Sequence, residues 1–223
     1  MYFESYEEVI HLNWKKIIAA GLFSASLLAA APLGTSYAAE PFEPLPENIF
    51  QWVQSTPRTS YYFNKDAMTY EIGADGYADT NVLLVPVVYL YDDMQVKDVI
   101  MKRQWRDLST YRFNELIGSS ELLRINLTTK IVQHSQCTFL DQGYNSLYAN
   151  YERADEDINK LSPKDVDRVF YENILAYEQQ HRTEILEKIA DKVKPDELKK
   201  AGIKPASDKD SDQKEKHSRR SRH

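Results

Sequence analysis

Cysteine occurs once in this chain of 223 residues, at position 137, and glycine only 7 times. A single thiol excludes an internal disulfide framework and any zinc site built from several thiolates. The glycines nowhere form a G-x-G-x-x-G or Walker-type loop, so the usual signature of a nucleotide site is missing. Histidine stands at 11, 134, 181, 217 and 223, with no His-x-His or His-Glu-x-x-His spacing. No metal centre and no other cofactor is therefore expected. No serine lies in a G-x-S-x-G context. Basic residues are outnumbered, 28 Lys and Arg against 34 Asp and Glu, for a net charge of −6. A net negative chain is a poor general nucleic-acid binder, and no nucleic-acid partner is expected. What the chain does have is 42% hydrophobic residues, enough to pack the core of one domain, and an unusually high count of 15 tyrosines.

Residues 1–38 read as a signal peptide. Lys15 and Lys16 precede an uncharged run from Ile17 to Ala39, and Ser36-Tyr37-Ala38 places small residues at −3 and −1 of a cleavage site after Ala38. The rival reading is an uncleaved anchor, since the run approaches the ~20 residues that a span requires. The expected location is beyond a bacterial inner membrane, in the periplasm, on the cell surface or in the medium. Contact with the membrane is then expected only in transit, through the signal peptide.

Residues 39–48 form an extended, proline-rich lead-in with Pro41, Pro44 and Pro46. From 49 to 151 the signals are those of an antiparallel β domain. Short aromatic runs at 50–53 and 61–63 flank a turn at Thr56-Pro57-Arg58. Gly73-Ala74-Asp75-Gly76 is a second turn. Asn81 to Tyr91 is almost continuously apolar, as in a strand buried on both faces, and Pro86 within it predicts a bulge or an edge. Val96 to Trp105 alternates imperfectly and reads as a strand. Gly118-Ser119-Ser120 reads as a break, after which Leu123, Ile125 and Leu127 alternate as a half-buried strand. The expected fold is α+β: an antiparallel meander of about six or seven strands packed by a long C-terminal amphipathic helix.

Residues 152–204 form the helical segment. Ser162-Pro163-Lys164-Asp165 has the order of an N-cap, and apolar residues then recur every three or four positions from Val166 to Val193. That stripe of about 27 residues spans roughly 40 Å, longer than the sheet can cover. Its part beyond His181 is therefore expected to project, and a homo-oligomer or a partner complex through the helix follows from this. Residues 205–223 form a charged tail without apolar residues to bury. The −6 conceals a body of −7 between a leader of −1 and a tail of +2.

The candidate partner-binding residues are Tyr61, Tyr62, Tyr89 and Tyr91 on the strands and Ile174, Tyr177 and His181 on the helix. Each has a structural alternative, sheet packing for the tyrosines and core packing for the helix stripe. Cys137 is a candidate intermolecular thiol or a small core residue. A Cys–His nucleophile with His134 would need a bulge, because positions 134 and 137 of one strand point to opposite faces. No catalytic residue emerges.

The segments Gln51-Trp52-Val53-Gln54-Ser55 and Tyr61-Tyr62-Phe63-Asn64-Lys65-Asp66-Ala67-Met68, with the apolar strand over 82–91, resemble the surface-adhesin protein E-like family of exported bacterial proteins. The resemblance covers about residues 49–151 and extends to Leu123-Arg124-Ile125-Asn126 and Gly143. It implies an antiparallel sheet packed by a helix, and adhesion to host extracellular proteins. The resulting expectation is an exported, non-enzymatic binding protein of the envelope or surface, whose partner is a host extracellular protein or an envelope component. The alternatives are a periplasmic structural or assembly factor that docks through its long helix, and a hydrolase with an unrecognised site.

Overall fold

The computed structural model of the protein describes residues 44–203. The signal peptide, the cleavage site after Ala38, the first residues of the lead-in and the charged tail lie outside the described residues. One antiparallel sheet of eight strands organises the rest: β1 (Phe50–Ser55), β2 (Thr59–Asn64), β3 (Thr69–Ile72), β4 (Ala78–Tyr91), β5 (Leu116–Asn126), β6 (Ile131–Asp141), β7 (Ser146–Asn150) and β8 (Glu156–Asp157). The helices are α1 (Asp93–Gln104), α2 (Val166–Lys188) and α3 (Pro195–Lys200). The α+β class therefore stands, with the sheet continuing past residue 151 to a short β8.

The spatial order is β1-β2-β4-β5-β6-β7, with β3 also on β4 and β8 also on β6. β2 and β3 lie end to end along the 14-residue β4, pairing with its two halves. Pro86 falls in the gap between them. The β2 register ends at Val87 and the β3 register at Leu84, so residue 86 has no partner on that side. The ladder to β5 passes through Pro86–Leu122 without a shift. No bulge forms at Pro86, and the expected edge is met only locally, in the gap between β2 and β3. Proline is tolerated in this central strand because its neighbour is interrupted where the missing N–H would matter.

Val96 to Trp105 belongs to a helix, not a strand. Asp92 caps α1, its side chain accepting from the Gln95 N–H at 2.7 Å. Val96, Val99 and Ile100 face inward against Phe113, Leu116, Phe139 and Leu147. Met94 and Met101 point outward, so apolar residues occur on two opposite faces and the 3.6-residue period is blurred. Gly118-Ser119-Ser120 is no break either, since all three are buried within β5. A Cβ at position 118 would be driven into the Tyr89 carbonyl oxygen of β4, so only glycine allows the strands to approach there.

The sheet has two covered faces. On one, Val85, Val87, Leu123, Ile125 and Val132 pack against Phe170, Tyr171, Ile174, Ile185 and Leu186 of α2. On the other, Phe50, Val88, Leu90, Ile117 and Leu140 form a smaller cluster. The cap of α2 is Asp165, which accepts from the Asp167 N–H at 2.9 Å, rather than Ser162. The expected 27-residue stripe is divided: α2 ends at Lys188, a 3₁₀ turn follows, and Pro195 opens α3. The part beyond His181 does not project, because Ile185 and Leu186 are each only 2% exposed. Each such buried aliphatic side chain stabilises the packing by about 1.5–3 kcal/mol.

Candidate functional site

The structure divides the candidate residues between interior and surface. Tyr61 packs edge-on against Tyr89 and Phe170, at ring-centroid distances of 5.3 and 5.4 Å. Tyr89 is 4% exposed. The Tyr91 hydroxyl is 2.6 Å from Ser119 Oγ. Burial pushes the hydroxyls of Tyr61 and Tyr91 up to about 12, helped at Tyr61 by the charge of Asp167. Ile174 is fully buried. Tyr61, Tyr89 and Ile174 are corrected from partner-binding to packing residues, because the helix stripe and the inward tyrosines bury one another; Tyr91 is half-buried and also lines the groove beside the β1–β2 hairpin. Tyr177 and His181 stack at 4.2 Å and are half-buried, with His181 Nδ1 3.1 Å from Glu184 Oε2. Tyr62 lies on the opposite face of the sheet, half-buried.

Cys137 is 5% exposed, so the intermolecular thiol is corrected as well. Burial, reinforced by the charge of Glu121, pushes the thiol up to about 12 and keeps it protonated. The bulge that a Cys–His pair would need is present. Ser120 pairs with Thr138 and Leu122 with Ser135, so Glu121 opposes both Gln136 and Cys137, and Gln136 adopts φ 50°. The bulge brings Cys137 onto the face of His134, yet both imidazole nitrogens have other partners. Nδ1 is 2.7 Å from Glu121 Oε2, and Nε2 is 3.4 Å from the Tyr171 hydroxyl.

Those contacts belong to a buried polar cluster between the sheet and α2. The Tyr151 hydroxyl donates to Glu121 Oε1 at 2.7 Å, and Arg153 Nη1 lies 3.7 Å from Glu121 Oε2. Arg153 Nη2 donates to Asp167 at 2.7 Å, Glu156 at 3.0 Å and Tyr171 at 3.2 Å. Tyr171 in turn donates to Glu156 Oε2 at 2.8 Å. Burial alone would raise the Glu121 carboxyl. The hydrogen bond from His134, the charge of Arg153 and the Tyr151 hydroxyl outweigh it and hold that carboxyl below its usual range. At Asp167 the balance goes the other way: burial dominates over Arg153 and the carboxyl is raised. Every member is satisfied by another member, and the cluster fastens the helix to β5, β6 and the segment after β7.

Strand parity carries a signal for this cluster, although no sequence motif does. Glu121 has the parity of the inward Leu123 and Ile125, and His134 that of the inward Val132. A carboxylate and an imidazole on inward positions of neighbouring strands must find partners. Nothing in the sequence marks Arg153 or Tyr171 as those partners.

An open concavity lies elsewhere, on the sheet face away from α2. A groove of about 970 Å³ runs beside the β1–β2 hairpin and the chain entering it. Leu45, Phe50, Tyr62 and Leu90 give it an apolar lining, and Trp52 stands at its side, 53% exposed. Lys65, Arg58, Glu47 and Asp92 supply both signs of charge. Trp52 is steered by a hydrogen bond from its indole N–H to Ser55 Oγ at 3.1 Å. Among the described residues strand β1 is the edge of the sheet, so no strand pairs with its outer side beside these side chains.

Among the described residues no group of three or more His, Cys, Asp or Glu is placed to hold a metal ion, and no helix is long and apolar enough to cross a membrane. Comparison with protein-family models, with curated proteins and with solved structures finds no match in any of the three.

Proposed function

We propose that this is an exported, non-enzymatic binding protein of the bacterial envelope or cell surface, and that it holds an extended polypeptide segment in the groove beside β1. The groove carries this reading. It joins an apolar floor, a half-exposed tryptophan, charges of both signs and a free strand edge, the combination that engages an extended chain through main-chain pairing and side-chain pockets. The buried ionisable cluster lies on the other side of the sheet, under α2, so it shares no surface with the groove. A role for α2 as a docking arm has little support, since Phe170, Tyr171, Ile174, Ile185 and Leu186 are spent on the core. We read α2 as the single long helix that packs the sheet. Kinship with the surface-adhesin protein E-like proteins would place the partner among host extracellular proteins.

Selection of displayed peptides on the immobilised protein tests the groove. Enriched peptides should quench Trp52 fluorescence, and Trp52→Ala should weaken them about thirtyfold without lowering the melting temperature. Equal binding by Trp52→Ala would reject the groove. Protease treatment of intact cells tests the location: digestion supports a surface adhesin, whereas protection followed by release on osmotic shock restricts the protein to the periplasm.

A further inference from the structure

Helix α1 has two apolar faces, and the fold uses only one. Val96, Val99 and Ile100 are packed inward. At about 100° per residue, Met94, Met101 and Trp105 fall on a single line on the opposite side of the helix. They are 51%, 40% and 74% exposed, and the stripe continues into Leu108 at 46% and Tyr111 at 80%. Single exposed apolar residues are ordinary, but five clustered on one helix and the loop after it are not.

The charge around the stripe departs from the rest of the protein. Lys97, Lys102, Arg103 and Arg106 are the basic residues of 97–106, and Asp98 is the sole acid, in a chain of net charge −6. Asp98 is already engaged by Arg58 of the β1–β2 turn. Arg103 is folded back over the Phe113 ring at 4.8 Å, with its Nε donating to Ser109 O at 2.9 Å. Lys97, Lys102 and Arg106 are exposed. Lys97 and Lys102 flank the apolar line on either side, by about 60° and 80°. Asp93 and Asp107 are the exposed acids at the two ends.

We infer that this face of α1 lies on an anionic lipid surface. A helix with two exposed methionines leading to an exposed tryptophan, a leucine and tyrosine in the loop after it, and lysines on both flanks matches the interfacial region of a bilayer. Aromatic rings settle there at headgroup depth, while cationic side chains reach the phosphates. The basic flanks make the anionic headgroup the occupant: the acidic remainder of the body would be repelled by it, so this face is the one that can approach. Contact is peripheral, through one helix and one loop, and leaves the groove beside β1 free for its own ligand.

Flotation of the exported protein with vesicles tests this, comparing phosphatidylcholine alone with phosphatidylcholine carrying about one third phosphatidylglycerol. Trp105→Ala and Lys97→Glu/Lys102→Glu variants are run in parallel, so any contribution from residues outside 44–203 is common to all. The wild type should float with the anionic vesicles only, and should be released by added salt. Binding should fall about fivefold or more for each charge removed, and at least as much for Trp105→Ala, with unchanged melting temperatures. Equal flotation of wild type and variants, or equal binding to neutral vesicles, would overturn the inference. So would a concentration-dependent dimer lost in Trp105→Ala without any vesicle binding, which would assign the stripe to a second copy of the chain.

Discussion

Replacing Glu121 by alanine removes the acceptor on which four donors converge. His134 Nδ1 and the Tyr151 hydroxyl are each 2.7 Å from its oxygens, the Tyr89 hydroxyl is 3.5 Å away and Arg153 Nη1 3.7 Å. The side chains of Glu121 and His134 are 2% and 0% exposed, so water does not take over the lost bonds. Removing one partner of such a buried set costs about 3–5 kcal/mol, because the remaining donors stay desolvated. For a domain of this size that lowers the melting temperature by about 10 °C. Urea unfolding should show a reduced midpoint at unchanged slope. In a double-mutant cycle, His134→Ala should cost at least about 1 kcal/mol less in the Glu121→Ala background than alone. The pH dependence has a definite sign. Held below its usual range in the fold, the Glu121 carboxyl stays ionised at pH values where the unfolded chain has begun to take up the proton. Its contribution is therefore present above the ordinary carboxylate value near 4.5 and is lost as pH falls through the folded value. Asp167, raised by burial, works in the opposite sense, so the informative quantity is the difference between wild type and Glu121→Gln. A loss below about 1 kcal/mol for Glu121→Ala, or strict additivity with His134→Ala, would refute the idea that the cluster fastens α2 to the sheet.

Gly118→Ala should cost about 1–3 kcal/mol through its collision with the Tyr89 carbonyl, read as a lower urea midpoint; a change within about 0.5 kcal/mol would show that β4 and β5 can separate freely. Cys137 should resist thiol reagents at neutral pH and become labelled only as the protein unfolds, because the thiol is buried and its pKa is pushed up to about 12; labelling of the native protein at the rate of a free thiol would contradict its placement.

Much of the sheet was legible because its signals are local. The turn at Thr56–Thr59, closed by the Thr56 N–H to Thr59 O bond at 2.8 Å, follows from its Thr-Pro-Arg sequence. The alternation of Leu123 and Ile125 gave the inward face of β5. Where local signals and tertiary context disagree, context prevails. Gly118-Ser119-Ser120 has the composition of a turn, yet it lies at the centre of the sheet because glycine is required beside Tyr89 and Ser119 answers the Tyr91 hydroxyl. Helix α1 was hidden by its own outer face: Met94, Met101 and Trp105 fill the gaps that would have exposed the helical period of Val96, Val99 and Ile100. Among the candidate residues the tyrosines divide by strand parity, with Tyr61 inward under α2 and Tyr62 outward toward the groove. Parity was available from the start. Which face α2 would cover was not, because that depends on contacts some hundred residues apart in sequence, such as Tyr61 with Phe170.

Hydrogen–deuterium exchange of the full chain, with and without a peptide selected on it, tests the groove most directly. Protection should rise in the entering segment from Pro44, in β1 and β2 and at Leu90 to Asp92, while α2 keeps the exchange it has without peptide. Protection that appeared instead along Val166–Lys188, with none at β1, would place the ligand on the helix and contradict the account.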